Sequence, residues 1–478
     1  MSLCENFSNS VVQPLLTDMY QITMAYGYWK VNKHENVAVF DLFFRKNPFN
    51  GEFTIFTGLS DCLKFIDDFK FSDSDIKYLK SVLPNHVEDK FYEYLRSLRG
   101  SMLTVYAIPE GSVAFPRIPL ITVQGPLLMC QLVETTLLTL VNYSSLVTTN
   151  AARFRLAAGQ DSVLLEFGLR RSQGPDGGLT ASKYCYIGGF DGTSNMLAGK
   201  IFGIPVKGTI AHSFISSFSI ENFIEYKKMH LSNSTKSYPF GKMVGDYLDK
   251  IRNLLDNISP HLGELSAFIA YALAFPTNFL VLVDTYDFYK SGLPNYCAVA
   301  LALNDCGFNP VGVRLDSGDL AYQSVVFRSA LKQIADNFNA PWLKKSLIFA
   351  SNDIDEATLY SLKDQGHEIN GFGIGTHLVT CKEQPALGCV YKLVECDEQP
   401  CIKLSHDISK VSIPFKKCAF RFFGKDGLML VDLMQMSDEK HPDALEKLLC
   451  RHPFNEKIRA NVIPTDVLLL SEKVYDKE

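Results

Sequence analysis

The chain has 478 residues, more than a single hydrophobic core usually serves, so two domains or one barrel with a large appendage are expected. Hydrophobic residues make up 47% and charged residues 21%, a globular balance that excludes a disordered chain. The net charge of −5 lacks the basic surplus of a nucleic-acid binder, so phosphate chemistry would have to rest on local basic clusters.

The first stretch, Met1 to Ser10, is polar and has neither the basic start nor the apolar core of a signal peptide, which points to the cytosol. Residues 1–145 mix helical patterns with β-like segments at Val37 to Phe44 and Met102 to Ile108. Over 146–380 the pattern changes. Short apolar runs occur at Val163 to Phe167, Ile204 to Ile210, Phe279 to Val283, Val311 to Leu315, Leu347 to Ala350 and Ile369 to Ile374. Helical segments lie between several of them, such as Leu320 to Phe338 and Asp355 to Lys363, the latter with Asp353 as a cap near its start. The most apolar stretch, Ala267 to Val283, is interrupted by Pro276, Thr277 and Asn278, and reads as a buried helix and strand rather than a membrane span. From 381 to 478, Lys403 to Pro414 and Ala419 to Leu430 read as antiparallel strands. The predicted fold class is α/β: an irregular parallel α/β barrel at 146–380, with a second, discontinuous α/β domain built from 1–145 and 381–478. The twelve cysteines are scattered. Cys396 and Cys401 lack a second close pair to complete a zinc site, so free thiols are expected and no metal ligands are identified.

Chemically capable residues follow the ends of the apolar runs: Arg170 and Arg171, His212, Asp284, Arg314 with Asp316, Asn352 with Asp353, and Gly375 with Thr376. In a parallel barrel the C-terminal strand ends converge on one mouth, so these groups point to one site. The run Gly371-Phe372-Gly373-Ile374-Gly375-Thr376 is either a cradle for a phosphate monoester or a tight turn. Arg314 and Asp316 alternate at a strand end, either facing an anion and a sugar diol or pairing with each other. Arg45 with Lys46, and Arg170 with Arg171, suit a polyphosphate or a solvated surface. Tyr20 and Phe167 either hold a flat ring by stacking or are simple core. His212 is a structural histidine, a base, or a nucleophile that accepts a phosphoryl group.

Seven segments together resemble the nicotinate phosphoribosyltransferase family, in order and across nearly the whole chain: Leu16 to Gln21, Phe43 to Phe49, Glu166 to Gln173, Gly192 to Asn195, Gly208 to Ser213, Arg314 to Asp319 and Phe372 to Thr376. The resemblance implies a type II phosphoribosyltransferase fold and a homodimer with shared active sites. It also implies transfer from phosphoribosyl pyrophosphate (PRPP) to nicotinate with Mg²⁺ present (Mn²⁺ as an alternative), coupled to ATP hydrolysis. In that reading Tyr20 and Phe167 sandwich the pyridine ring, and Thr209 and Arg314 lie at the nicotinate site. Asp316 holds the ribose hydroxyls, Gly375 and Thr376 the 5′-phosphate, and Arg45 and Arg170 face the pyrophosphate. His212 is the histidine phosphorylated by ATP. Ser194 stands where the sister enzyme for nicotinamide resembles this one but carries Asp, and a hydroxyl suits a carboxylate better than a second carboxylate would. Phe415 follows Pro414 where the family usually has glycine, which puts a phosphate role for Lys416 and Lys417 in doubt. The rival readings are a nicotinamide or quinolinate enzyme of the same fold, a Schiff-base lyase using Lys183, and a non-catalytic metabolite sensor.

Overall fold

The computed structural model describes residues 9–219, 227–230, 237–455 and 457–477; the polar start with Cys4 and Glu5 lies outside them. The main strands, in chain order, are β1 (Val37–Phe43), β2 (Thr104–Ala107), β3 (Ile121–Pro126), β4 (Val163–Glu166), β5 (Gly192–Thr193), β6 (Leu280–Leu282), β7 (Gly312–Leu315), β8 (Leu347–Ala350) and β9 (Gly371–Ile374). They continue with β10 (Val390–Cys396), β11 (Gln399–Pro400), β12 (Lys417–Phe423), β13 (Met429–Met436), β14 (Asp466–Leu469) and β15 (Glu472–Tyr475). The chain divides into two compact units, Met1–Asn150 with Glu383–Glu478, and Ala151–Lys382.

The second unit is a parallel α/β structure. Its sheet runs β6-β7-β8-β9-β4-β5, and every neighbouring pair is parallel. Parallel neighbours need long crossovers, and helices supply them: Leu293–Asp305 leads from β6 to β7, Leu320–Asn337 to β8 and Glu356–Gln365 to β9. Strands covered by helices are buried on both faces, which is why β6 and β9 read as continuous apolar runs rather than alternating ones. Asp319 caps Leu320–Asn337 by accepting from the Tyr322 amide at 3.0 Å.

Two expectations for this unit need correction. Helix Glu356–Gln365 is capped by Asp355, which accepts from the Thr358 amide at 2.7 Å; Asp353 sits too far from the first turn and pairs with His377 instead. The run Ile204 to Ile210 forms no regular strand. Pro205 has no amide hydrogen to give a ladder, so contact with β5 reduces to one parallel bridge, Thr193 to Val206. The strand at this edge of the sheet is the short Gly192–Thr193 segment, which carries no apolar run to announce it.

The first unit is built on antiparallel pairing. Its larger sheet runs β11-β10-β1-β3-β2-β15, so segments from both ends of the chain share one sheet, with Phe43 opposite Val390. A smaller sheet runs β13-β12-β14. The Lys403 to Pro414 segment is not a strand. Ser405 turns the chain back by accepting from the Asp407 amide at 3.2 Å, and a single 3-10 turn follows at Ile408–Lys410. The Ala419 to Leu430 run is split by a turn at Gly424 to Gly427 into the end of β12 and the start of β13.

Phe415 has φ +66°, the left-handed region that glycine occupies without strain. The lysines beside it serve the fold. Lys417 pairs with Asp41 at 2.8 Å and donates to the Ile413 carbonyl at 2.8 Å, while Lys416 donates to Gln124 and lies over the Tyr106 ring. Among the described residues no helix is long and apolar enough to cross a membrane, and the described cysteines are free thiols.

Candidate active site

The second unit contains an open cavity of about 840 Å³, walled by the C-terminal ends of β4, β7, β8 and β9 and by the segment 208–212. Phe167, Arg170, Ser194, Thr209, His212, Arg314, Asp316, Gly375 and Thr376 all line it. Strand ends far apart in sequence converge there because parallel strands place their C-terminal ends on the same side of the sheet.

Arg314 points from the end of β7. Its Nη1 donates to Thr209 Oγ1 at 2.5 Å, and its Nη2 lies 3.4 Å from Asp316 Oδ2. Its Nε is buried without a hydrogen-bond partner. Burial lowers the guanidinium's proton affinity from its ordinary value and nearby Arg170 adds to this, while Asp316 and Asp284 oppose it. The group remains a cation, with donor capacity that the protein leaves unused.

Asp316 is held from several sides. Its amide donates to Asp284 Oδ2 at 2.8 Å, its Oδ1 accepts from Ser351 Oγ at 2.5 Å, and its Oδ2 lies 3.5 Å from His212 Nε2. The other ring nitrogen of His212, Nδ1, is 3.1 Å from Thr285 Oγ1. Ser351 and Thr285 were not singled out from the sequence; Ser351 directly follows an apolar strand run and Thr285 stands two residues after one, and that position was the available signal.

Phe167 and Arg170 come from the turn after β4. This turn is fixed by Glu166, a buried carboxylate that accepts from the Gly168 amide, from Ser182 Oγ at 2.9 Å and from Thr193 Oγ1 at 2.6 Å. The Glu166 carbonyl accepts from the Ser194 amide at 3.0 Å, so one residue ties the Phe167 wall to the Ser194 wall. Gly373, the second glycine of β9, has a steric role here. A Cβ on Gly373 would lie 2.4 Å from the Phe167 ring, so the aromatic side chain rests on bare backbone.

The β8 end carries Asn352 at φ +107° and Asp353 at φ +50°, two left-handed non-glycine residues in a row at the cavity rim. His377 lies 3.0 Å from Asp353 Oδ1. Gly375 and Thr376 begin the short helix Thr376–Thr380 at the end of β9.

Tyr20 and Arg45 belong to the first unit. Tyr20 is 47% exposed on helix Met19–Lys30. Arg45 follows β1, half-buried, with its Nε lacking a hydrogen-bond partner. Lys183 does not line the cavity; its ammonium lies over the rings of Tyr184 and Phe202, which removes the nucleophile a Schiff-base lyase would need.

Family models described as the nicotinate phosphoribosyltransferase (NAPRTase) N-terminal and C-terminal domains match residues 15–142 and 416–478. A nicotinate phosphoribosyltransferase of Caenorhabditis elegans is 56% identical over 481 aligned residues, covering 99% of this chain and 85% of the relative. The chain belongs to the nicotinate phosphoribosyltransferase family. A crystal structure of human nicotinic acid phosphoribosyltransferase is similar at 45% identity and a TM-score of 0.86, covering 96% of this chain and 89% of that one. A nicotinate-nucleotide pyrophosphorylase from Pyrococcus furiosus shares the fold at 18% identity and a TM-score of 0.61, over 98% of this chain and 92% of the other. Both likenesses extend through the parallel unit, which lies outside the residues matched by the two family models.

Proposed function

We propose that this protein is a nicotinate phosphoribosyltransferase that joins nicotinate to PRPP, giving nicotinate mononucleotide and pyrophosphate for NAD biosynthesis. The observation that carries the reading is the convergence of Phe167, Arg170, Thr209, His212, Arg314 and Asp316 on one cavity in a chain 56% identical to an enzyme of that name. In the reaction the pyridine nitrogen gives its lone pair to the anomeric carbon. The bond from that carbon to pyrophosphate breaks, and the leaving group takes the electron pair. No base is required at the attacking nitrogen, so catalysis rests on alignment and on neutralising the leaving group.

Each lining group has a place in this chemistry. Arg314, with Nε uncommitted, receives the nicotinate carboxylate beside Thr209. Phe167 supplies one face of the ring slot, and Tyr20 is assigned the opposite face by resemblance. Asp316 accepts from the ribose hydroxyls, Gly375 and Thr376 receive the 5′-phosphate, and Arg170 and Arg45 face the pyrophosphate. Ser194 favours nicotinate over nicotinamide, because a hydroxyl donates to a carboxylate and brings no repelling charge.

The finer proposal couples ATP to this transfer. A ring nitrogen of His212 attacks the γ-phosphorus of ATP, ADP leaves, and water later cleaves the phosphohistidine to phosphate. The contacts to Asp316 and Thr285, one at each ring nitrogen, support the role by fixing the imidazole at the cavity wall. Mg²⁺ (or Mn²⁺) fits as a companion of the substrate phosphates. Among the described residues no group of three His, Cys, Asp or Glu side chains is placed to cage a metal, whereas Asp353, with its side chain 74% exposed, can reach a hydrated ion.

The proposal extends to the architecture. An irregular barrel is supported by the segment beyond the Val206 bridge, which follows the β5 edge and meets β7 through Thr209 and the β6 loop through His212. The shared sheet of β1 and β10 supports a discontinuous second domain. A homodimer with shared sites follows from resemblance, and light scattering checks it; a cytosolic location is proposed from the polar first residues and is checked by cell fractionation. To test the activity, purified protein is given PRPP, Mg²⁺ and ATP with labelled nicotinate or nicotinamide. Nicotinate mononucleotide from nicotinate alone is expected. Product from nicotinamide alone would overturn the substrate assignment, and no product from either would overturn the activity.

A further inference from the structure

Behind the cavity wall lies a second polar cluster that the proposed chemistry does not use. Glu264, Ser291 and Asn295 are almost fully buried. Glu264 Oε2 accepts from Ser291 Oγ at 2.5 Å and from Asn295 Nδ2 at 2.9 Å. Ser291 Oγ accepts from the His261 amide at 2.9 Å, and the Glu264 amide donates to His261 Nδ1 at 3.2 Å. The His261 ring stacks on Tyr286 with centroids 4.0 Å apart.

The cluster grips one segment from two directions. Ser291 lies in a π-helical turn, Phe288–Gly292, which leads into helix Leu293–Asp305 carrying Asn295. Such turns are rare and occur frequently at functional sites. This one is pressed against β6: a Cβ on Gly292 would lie 1.9 Å from the Val283 carbonyl oxygen, so the turn has one way to sit. Immediately before it come Asp284, which holds the Asp316 amide and Ser317 Oγ, and Thr285, whose hydroxyl meets His212 Nδ1.

We propose that Glu264 is a positioning residue for His212, acting through Ser291, Asn295 and stacked His261 on the segment that presents Thr285 to the imidazole. The inference rests on the His212 role proposed above. It adds that the geometry of the phosphoryl acceptor is set by a carboxyl group that never touches the substrate.

The cluster also carries an excess of acceptors. Glu264 Oε1, Asn295 Oδ1 and Asp284 Oδ1 are all buried without a hydrogen-bond donor. A buried acceptor without a donor is costly, and one proton on the Glu264 carboxyl turns an orphaned acceptor into a donor. Burial favours that proton and pushes the Glu264 carboxyl up to about 7. The Ser291 and Asn295 contacts pull it down, and the Asp284 and Asp287 carboxylates facing it push it further up. With the folded value above the unfolded one, the native state binds more protons between about pH 4.5 and 7, so stability falls as pH rises through that window.

The test compares ATP stimulation of nicotinate mononucleotide formation across pH 6–8 in the full-length wild type and in Glu264→Gln, Glu264→Leu and Thr285→Val, with unfolding midpoints measured alongside. Glu264→Gln keeps acceptors for Ser291 and Asn295 and supplies permanent donors. It is expected to retain ATP stimulation and to lose the fall in stimulation that the wild type should show as the Glu264 carboxyl gives up its proton near pH 7. Glu264→Leu and Thr285→Val are expected to lose most of the stimulation, with the KM for nicotinate within about twofold of wild type. Full stimulation in a folded Glu264→Leu protein would overturn the proposal. If that variant does not fold, full stimulation in Thr285→Val, or that fall unchanged in Glu264→Gln, would do the same. His212→Ala serves as the reference. Should it keep ATP stimulation, the phosphohistidine reading itself fails. Should it lose stimulation while Glu264→Leu and Thr285→Val keep theirs, only the positioning role fails.

Discussion

Two sets of charged side chains, one in each unit, are treated in opposite ways. In the first, Arg421 clasps Asp432 through two bonds of 2.8 and 2.7 Å and adds a third to the Val113 carbonyl, while Lys417 holds Asp41 and neighbouring carbonyls. In the second, Arg314 and His212 lie 3.4 and 3.5 Å from the same Asp316 oxygen, and Arg314 Nε has no partner. A buried ion pair offsets its desolvation only when geometry is good and the remaining donors are satisfied. The first set meets that condition and functions as architecture. The second falls short of it, and the shortfall is the capacity a bound anion would fill.

If that contrast is right, the largest loss of stability should come from the satisfied pair. Arg421→Ala leaves Asp432 buried and unpaired, and should cost about 3–5 kcal/mol in denaturant unfolding. An unchanged midpoint would erase the distinction between the two sets. Arg314→Ala should act mainly on function. We expect kcat/KM for nicotinate to fall by about 1.5–3 kcal/mol in transition-state terms, with a smaller change in unfolding than for Arg421→Ala. Kinetics equal to wild type would remove Arg314 from the site. Ser194→Asp places a carboxylate at the cavity wall, and should weaken nicotinate use by roughly 1–2 kcal/mol while PRPP affinity by calorimetry changes less. Equal losses for both substrates would mean that Ser194 does not discriminate between pyridines. The smallest effect is expected at Phe415→Gly. Relief of the left-handed backbone is offset by lost packing and a more flexible unfolded chain, so stability should stay within about 1 kcal/mol of wild type. A loss well beyond that would show that the Phe415 ring, rather than its backbone, holds the turn.

The same contrast explains what could be read from the sequence. Parallel strands covered by helices appear as short, mostly apolar runs, so β4 and β6 to β9 were visible, and so were the groups at their ends. The edge strand Gly192–Thr193 was not, since two residues carry no period, and Pro205 turned an apparent strand at Ile204 to Ile210 into a single bridge. Part of the cavity's lining was legible because Arg170, Asp316, Gly375 and Thr376 stand at or just after strand ends, whereas Thr209 and His212 lie beyond the Val206 bridge and Ser351 was missed. Its support was less so. Thr285, Ser351 and Glu264 act through hydrogen bonds to partners 73, 35 and 27 positions away, a separation that no local pattern records. In the first unit, Lys403 to Pro414 failed as a strand because Ser405 offers the backbone a closer acceptor than a neighbouring strand does.

The Phe167 ring lies against a glycine of β9, with no side chain beneath it to yield. A wall backed by side chains can thin or thicken as rotamers change, but one backed by backbone keeps its position unless the sheet itself deforms. The position of the Phe167 face in the cavity is therefore set by main-chain geometry. A methyl group at position 373 would meet the ring from behind, at 2.4 Å, and push it towards the cavity while leaving every polar lining group unchanged.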